Sequence, residues 1–429
     1  MRLSVEKLNT EGFVSYTIYF YEVGSIMTAI SRISETERIL LEYLGESLKS
    51  SDNACEIPEL SNEEWERIYS LANRHEVSVL MEDIFNFVNL SVKTQNDFQL
   101  KTARTVHKGI RLQAINTRLT AILEKEGIRA VTLKGYAVAR FYPVPEFRKT
   151  TDIDFFLFSK EDEKKAVKIL CENGFRPSKE WHANHHSVLF SERNESVELH
   201  TAWADEFRNK RLNKYLENLQ KESVNQCRTI ESDGQKLYVY DAAHQAFYLL
   251  IHMLGHFVGG GFGLRNLCDW VVLWENCEDE MSKKAFIKMA QDSGTEKFAR
   301  AVTSVCAEYL GLSAEKAPFD KLISKELTDE FLRDILDAGE FGYSESERMV
   351  GMDGSSFISY IKEFHHQMHI NFPKAGRVIL LWPVLWIATL FRFLSNNKKL
   401  NRAPVRAIIN KAGERGKLVK RLTSNKKDG

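Results

Sequence analysis

The sequence predicts a mixed fold of the α+β or α/β class, in which a small mixed sheet is flanked by N- and C-terminal helical segments. Short apolar runs of strand length cluster between residues 116 and 240 and alternate with turn residues. On either side of this region, apolar residues recur at helical spacing and follow good capping residues. A central sheet with helices before and after it accounts for both patterns.

The N-terminal third is predicted to be mostly helical. Ser34 and Ser61 each have a glutamate three residues later and apolar residues beyond it, which is the pattern of a capping box at a helix start. Residues 76–92 and 102–126 also have helical spacing. Residues 1–32 show no clear period and are interpreted as an N-terminal extension.

Several segments of the central region are predicted as strands, namely 128–133, 152–158, 187–190, 196–200 and 236–240. The third and fourth are separated by five polar residues and should form a hairpin. Ser159 is expected to cap a helix that runs to about Asn173. A short helix is predicted over Tyr136–Tyr142, because Pro143 would end it.

From Asp241 onward the apolar pattern is again helical. The predicted helices are 241–257, 264–276, 284–293, 296–310 and 327–338. The expected domain organisation is an extension 1–32, a helical segment 33–115, a core 116–240, a helical domain 241–345 and a last part 346–429 with an apolar helix and a basic tail.

Asp152 and Asp154 are the first indication of a functional site. They are two residues apart on a predicted strand, so both carboxylates should point to one face of the sheet. Two ionised carboxylates side by side repel each other unless a cation lies between them. Mg²⁺ is commonly held by one or two carboxylates together with substrate phosphates. We therefore expect a metal site here, with a solvent-exposed acidic pair as the simpler alternative.

Glu198 is the second component, on the predicted strand 196–200. If this strand lies beside 152–158, Glu198 completes a cluster of three carboxylates. Such a cluster can hold two metal ions about 3.5–4 Å apart. The alternative interpretation is a glutamate in solvent on an edge strand.

Lys134 and Gly135 precede the short predicted helix. Glycine lets the backbone approach a phosphate, and a helix N-terminus presents unpaired N–H groups to an anion. Lys134 adds positive charge, and Arg148 stands just before the acids, where it could neutralise a triphosphate. A surface salt bridge is the alternative for each basic residue.

His252 and His256 are four residues apart on a predicted helix, a spacing that suits metal ligands. No glutamate follows His252 directly, so the zincin motif is absent. Histidines that line a cleft and histidines that simply pack are the two other interpretations.

Composition limits the class of partner. Lys plus Arg and Asp plus Glu both number 59, and this balance argues against a nucleic-acid-binding surface along the whole chain. The 6 cysteines form no CxxC pair, which favours a reduced, cytoplasmic compartment. Residues 395–429 have eleven Lys and Arg but two Asp and Glu, and they follow the apolar run 378–394. The basic tail is interpreted as a solvated tail, with a local anionic partner such as a membrane surface or RNA as the alternative. The apolar run is interpreted as a packed terminal helix, with peripheral membrane contact through 378–429 and a spanning helix as the alternatives.

Together these motifs resemble a known family, the uncharacterised nucleotidyltransferases of bacteria, within the DNA polymerase beta-like nucleotidyltransferase superfamily. The resemblance covers about residues 33–280. The segments that carry it most strongly are Leu133-Lys134-Gly135, Phe141-Tyr142-Pro143, Arg148, Asp152-Ile153-Asp154 and Glu198-Leu199-His200. The wider superfamily usually has Gly-Ser or Gly-Gly where this chain has Lys134-Gly135.

The resemblance implies a mixed sheet flanked by helices, with Mg²⁺ as cofactor and an NTP as substrate. It implies that Asp152 and Asp154 bind metal and that Gly135 contacts the phosphates. Glu198 would complete the metal site or orient the attacking hydroxyl.

The expected function is metal-dependent transfer of a nucleoside monophosphate from an NTP to an unidentified hydroxyl acceptor. One alternative is a non-catalytic nucleotide-binding or assembly module, which the missing Gly-Ser favours and the three acids oppose. A glycosyltransferase with a DxD motif is the second alternative, but the Lys-Gly step upstream and the acidic strand downstream favour nucleotidyl transfer.

Overall fold

A seven-stranded mixed sheet lies at the centre of the fold. The computed structural model describes residues 33–49, 57–178, 186–232, 234–340, several positions between 361 and 372, 375–399 and 405–424. The strands are β1 (Val131–Thr132), β2 (Asp152–Phe156), β3 (Arg176–Pro177), β4 (His186–Phe190), β5 (Ser196–His200), β6 (Cys227–Ser232) and β7 (Gln235–Tyr240). Their order is β3-β4-β5-β2-β1-β7-β6. Strand β2 is parallel to β5 and β1 is parallel to β7, whereas the other neighbours are antiparallel, which confirms the predicted mixed sheet.

Helices precede and follow this sheet, as predicted. Those before β2 are α1 (Glu35–Ser47), α2 (Asn62–Arg74), α3 (Glu82–Phe85), α4 (Val92–Lys125) and α5 (Tyr136–Ala139). Within the second half of the sheet region lie α6 (Lys160–Glu172) and α7 (Lys210–Glu222). The later ones are α8 (Ala242–Gly259), α9 (Leu264–Glu275), α10 (Glu280–Ser293), α11 (Glu296–Tyr309), α12 (Lys325–Ala338), α13 (Trp382–Lys399) and α14 (Val405–Thr423).

The two faces of the sheet differ in chemistry because side chains alternate along each strand. On one face, Ile153, Phe155 and Leu157 pack in an apolar core with Leu119 of α4 and Leu170 of α6. The other face carries Asp152 and Asp154, followed by Phe156 in a second and larger core. That larger core extends from α1 to α14 and includes the buried α8. The acidic side chains of β2 therefore lie on the side of the sheet that α8 covers.

The two predicted capping boxes are confirmed. The Ser34 side chain accepts from the Glu37 backbone N–H at 3.3 Å, and the Ser34 backbone N–H donates to the Glu37 carboxylate at 2.7 Å. Ser61 and Glu64 form the same reciprocal pair. Each box satisfies backbone donors that a helix start leaves without an intrahelical partner.

The predicted helix over 76–92 is wrong. Residues Ser78–Met81 form a 3-10 turn, followed by the single turn α3, and the 34-residue α4 begins only after Ser91. The Ser91 side chain accepts from the Thr94 backbone N–H and caps α4. Burial explains the difference, since Val77–Met81 is anchored by tertiary contacts rather than by one helical face.

Four of the labelled strands and helices were not predicted, namely β3, α7, β6 and α14. Strand β6 pairs with β7 along its whole length but lies at the edge of the sheet. Half of its residues are exposed and polar, and it has no regular alternation of apolar and polar residues to indicate a strand. Residues 1–32 and 341–360 lie outside the described residues, so the extension predicted over 1–32 is not described.

Candidate active site

An acidic and basic cluster lies where β2 and β5 run side by side. Asp154 and Glu198 are register partners in this parallel pair, and Phe156 is paired with His200. The side chains of Asp154, Glu198 and His200 therefore share one face of the sheet. One ligand atom from each of the three lies within 4.8 Å of the others. The structure thus brings together two of the three predicted carboxylates and adds a histidine.

Asp154 is the buried centre of this cluster. Its residue is 3% exposed, because the neighbouring Ile153 and Phe155 hold the strand between two apolar cores. Its Oδ1 accepts from His200 Nε2 at 3.0 Å, and its Oδ2 lies 3.2 Å from Lys134 Nζ. Burial raises the pKa of Asp154, but the Lys134 charge and the His200 hydrogen bond outweigh burial and hold that pKa below its ordinary value.

Asp152 lies two residues before Asp154 on the same face and is only half-buried. Burial and the adjacent Asp154 charge raise its pKa above the ordinary value of an aspartate. Among the described residues, Asp152 does not join the group whose ligand atoms lie within 4.8 Å of one another. It lines the mouth of the cleft instead.

Lys134 reaches Asp154 because β1 continues beside β2. The Leu133 backbone N–H donates to the Asp154 carbonyl oxygen at 3.0 Å, which fixes the next residue against the acid cluster. Burial lowers the pKa of Lys134, yet the Asp154 carboxylate raises it by more, so the pKa lies above its ordinary value and the side chain is an ammonium ion. Lys134 is thus the counter-charge of Asp154 in this structure.

Gly135 adopts a backbone conformation that disfavours side chains, with φ +56° and ψ −123°. The helix that follows is a single turn, Tyr136–Ala139, whereas the sequence predicted Tyr136–Tyr142. The rest of the predicted span folds as turns held by the buried Tyr142. One turn has a weak dipole, so the helix-terminus part of the phosphate argument loses support. The role of Gly135 in this structure is to let the backbone turn sharply directly after Lys134.

Arg148 is placed differently from the sequence interpretation. It is 2% exposed, and its Nε and one terminal nitrogen each donate to Asp269 of α9 at 2.7 Å. Tyr142 donates to the same carboxylate at 2.7 Å. Burial lowers the pKa of Arg148, but Asp269 raises it above the ordinary value. This bidentate pair neutralises the arginine and joins the core to the C-terminal helices, and the contact of Arg148 with phosphate stays a prediction.

His200 is the residue of the cluster that the sequence interpretation did not assign. Burial lowers its pKa, but hydrogen bonds with Asp154 and Glu198 raise it above the ordinary value of histidine. Nε2 lies 3.0 Å from Asp154 Oδ1 and 3.4 Å from Glu198 Oε2. A signal was present in the sequence, because His200 follows Glu198 by two residues on the same strand and must share its face.

A cleft of about 870 Å³ opens from this cluster between the sheet and the C-terminal helices. Tyr248, His252 and His256 of α8 line it at successive helical turns. Burial lowers the pKa of His252 well below its ordinary value, and burial with the Lys134 charge lowers that of His256 to about 4. Both rings are therefore neutral at pH 7, and of the three interpretations the cleft-lining one fits their position.

The cluster fits a divalent cation. Carboxylate oxygens suit Mg²⁺, and an added imidazole nitrogen also suits Mn²⁺ and similar ions. Oδ2 of Asp154 is buried and receives no hydrogen bond of normal geometry, so it offers a free lone pair beside the Lys134 charge. Asp154, Glu198 and His200 would hold the ion, which would supply charge neutralisation for a phosphate.

The site thus consists of carboxylates on adjacent parallel strands of a mixed sheet. The chain belongs to the family described as uncharacterised nucleotidyltransferase, whose sequence pattern matches residues 61–311. A solved structure that it resembles is an antigenic nucleotidyltransferase-like protein from Paracoccidioides brasiliensis, at 13% identity and a TM-score of 0.30. That match covers 47% of this chain and 93% of the other. A comparison with proteins of curated function found no similar sequence.

The Arg148–Asp269 pair yields a prediction about stability. Asp269→Asn leaves a buried guanidinium without its counter-charge, and we expect the free energy of unfolding in urea to fall by about 3–5 kcal/mol. Asp292→Asn, at an exposed position of α10, is the control and should change it by less than about 0.5 kcal/mol. If Asp269→Asn lowered the free energy of unfolding by no more than the control does, a structural role for the pair would be contradicted.

The raised pKa of His200 yields a prediction about pH. A folded pKa above the unfolded value of about 6.5 stabilises the fold fully below that value, and the stabilisation is lost as pH rises through the folded pKa. In metal-free buffer, the unfolding free energy of the native chain should exceed that of His200→Gln at acidic pH, and the difference should shrink at alkaline pH.

The matched control is His107→Gln, at an exposed position of α4, which should show no such pH-dependent difference. The His200 pKa itself can be followed by NMR of the ring protons. Asp154→Asn removes the main hydrogen-bond acceptor and should lower that pKa. An unchanged pKa in Asp154→Asn would refute the assigned contact.

Proposed function

We propose that this protein is a metal-dependent nucleotidyltransferase that moves a nucleoside monophosphate from an NTP to a hydroxyl acceptor. The supporting observation is the buried Asp154 beside Glu198 on a parallel strand, with Lys134 against it, in a chain of a nucleotidyltransferase family. In the reaction, the acceptor oxygen bonds to the α-phosphorus, the bond from that phosphorus to the β-bridging oxygen breaks, and pyrophosphate leaves. The hydroxyl proton passes to a base or to water.

Each residue of the cluster has a proposed part in this reaction. Asp154, Glu198 and His200 hold the cation, and Asp152 at the cleft mouth extends the acidic face toward a second one. Partly buried Glu198 also faces the cleft, where its carboxylate can accept a hydrogen bond from the acceptor hydroxyl. Lys134 and the backbone at Gly135 bind the phosphates. Alignment and charge neutralisation then supply most of the rate enhancement.

The aspartates of β2 give the direct test. Asp152→Asn with Asp154→Asn removes both strand carboxylates, and we expect Mg²⁺- or Mn²⁺-dependent release of pyrophosphate to fall by on the order of 100-fold or more. The measurement uses labelled NTPs with cell extract, so that the labelled species also identifies the acceptor. Glu161→Gln, an exposed acid on α6, is the matched control and should keep full activity.

Three outcomes separate the alternatives. Full turnover in the folded double variant would overturn the assigned site. Binding of an NTP by the native chain without pyrophosphate release under any condition would favour the non-catalytic module. Binding of a sugar nucleotide alone would favour a DxD glycosyltransferase, which the family match opposes.

We further propose that residues 378–391 touch a membrane surface. This short stretch leaves large apolar side chains in solvent, including Leu380 at 90%, Ile379 at 68% and Phe391 at 68% exposed. Val384, Ile387 and Phe391 lie on one face of α13, and the basic residues of the tail follow it. Among the described residues, no helix is long and apolar enough to cross a bilayer. An amphipathic face beside positive charge is typical of interfacial binding to anionic lipid.

Vesicle binding tests this contact. The full chain should sediment with vesicles of phosphatidylcholine plus phosphatidylglycerol more than with phosphatidylcholine alone, and added salt should weaken the binding. Ile387→Ser with Phe391→Ser should lower the partition coefficient by about tenfold or more, since two apolar side chains lose their burial. Leu100→Ser, an exposed apolar site on α4, should have no effect. Equal sedimentation of all three proteins would refute the contact.

A further inference from the structure

We propose that Lys134 is an internal counter-cation that occupies the metal-binding side of Asp154, and that a triphosphate draws it away when a metal ion enters. Metal and nucleotide would then bind cooperatively, each weakly alone and tightly together. This inference rests on the proposed function, because it concerns the same site. It adds the order and coupling of binding, which neither the family nor the acid cluster supplies.

The geometry of Asp154 leads to this inference. Its Oδ1 accepts from His200 at 3.0 Å, and its Oδ2 faces Lys134 Nζ at 3.2 Å. The Asp154 side chain is 1% exposed and that of Lys134 is 20% exposed, so water screens this ion pair weakly. A metal ion on the free lone pair of Oδ2 would lie close to this ammonium group, and two cations at that separation repel each other. Binding of the ion therefore favours movement of the ammonium group away from Oδ2.

The surroundings of Lys134 allow that movement in one direction. The side chain lines the large cleft, into which its flexible four-carbon stem can swing. Two neighbouring cations of the cleft are already committed elsewhere, since Arg148 is bonded to Asp269 and Arg265 to Glu340, with distances of 2.7 and 2.6 Å. Lys134 differs from both arginines because an incoming metal ion can replace its ammonium group beside the Asp154 carboxylate. It is thus the cation best placed to change partners.

An exchange of partners keeps the charges balanced. Before binding, Asp154 is neutralised by Lys134. After binding, Asp154 is neutralised by the metal ion and Lys134 by the phosphates, so no buried charge is left alone. A metal ion without phosphate would leave Lys134 without a counter-charge, and a triphosphate without metal would leave Asp154 without one. Each ligand therefore raises the affinity for the other by the same factor.

The test uses the full chain, Mn²⁺ followed by electron paramagnetic resonance, and inorganic tripolyphosphate as the probe for the phosphates. Lys134→Gln removes the competing cation, and we expect at least tenfold tighter binding of Mn²⁺ alone. The same variant should bind metal-free tripolyphosphate more weakly than the native chain. Lys149→Gln, which removes one nearby positive charge paired with Glu76, is the matched control and should leave Mn²⁺ affinity within about twofold. Lys134→Arg should behave like the native chain.

The native chain supplies a second measurement that does not depend on how a variant folds. Its affinity for the Mn²⁺–tripolyphosphate complex should exceed its affinity for metal-free tripolyphosphate by at least tenfold. Equal affinities, or Mn²⁺ binding in Lys134→Gln no tighter than in the native chain, would overturn the inference. In the Lys134→Gln background, Asp154→Asn should abolish the gain in Mn²⁺ affinity.

The outcomes also separate this inference from the proposed function. Tighter Mn²⁺ binding in Lys134→Gln together with no pyrophosphate release by the native chain would support the exchange and reject the enzyme. Pyrophosphate release by the native chain with unchanged Mn²⁺ affinity in Lys134→Gln would support the enzyme and reject the exchange. Absence of Mn²⁺ binding in both proteins, with or without tripolyphosphate, would reject both.

Discussion

The parallel register between β2 and β5 is the constraint on which the candidate site depends. It places Asp154 opposite Glu198 and Phe156 opposite His200, so that acids and histidine share one face. A slip of one residue would turn Glu198 and His200 into the apolar core beneath the sheet. The residues of that core, such as Ile153, Val197 and Leu199, cannot be exposed without a large loss of buried apolar area. Packing of the apolar face of the sheet therefore fixes the positions of the acids and the histidine on the other face.

The same register explains why the sequence located the acids but not their partners. Alternation along a strand is a local property, so Asp152 and Asp154 could be assigned to one face from their spacing. The position of Glu198 beside them depends on the pairing of β2 with β5. The bond between Arg148 and Asp269 joins residues 121 positions apart, and no local pattern indicates it. Likewise β6 has too little apolar alternation to be recognised, because its pairing with β7 lies at an exposed edge. Local patterns therefore predicted the sheet and its acidic residues, whereas tertiary contacts determine which charged groups pair with one another around them.

Buried charges in this protein fall into two kinds that look alike in sequence. The pair of Arg148 and Asp269 is closed, since the guanidinium and Tyr142 together satisfy the carboxylate. The pair of Lys134 and Asp154 is open, because one carboxylate oxygen has no hydrogen bond of normal geometry and the lysine lines the cleft. A closed pair costs stability when one partner is removed. An open pair can exchange partners with a ligand, so it is suited to binding rather than to holding the fold.

The cleft is also asymmetric in charge. Burial, with a smaller contribution from the Lys134 ammonium group, lowers the pKa of His252 and of His256 and keeps both imidazoles neutral. The strand side of the cleft therefore carries the ionised groups, whereas the α8 side offers neutral rings and the hydroxyl of Tyr248. Under the proposed function, the charged part of the substrate would lie against β2 and β5, and an uncharged hydroxyl-bearing part against α8. One lysine beside one buried aspartate thus sets the charge balance of the acid cluster, and it adds to the burial that keeps the histidines of α8 neutral.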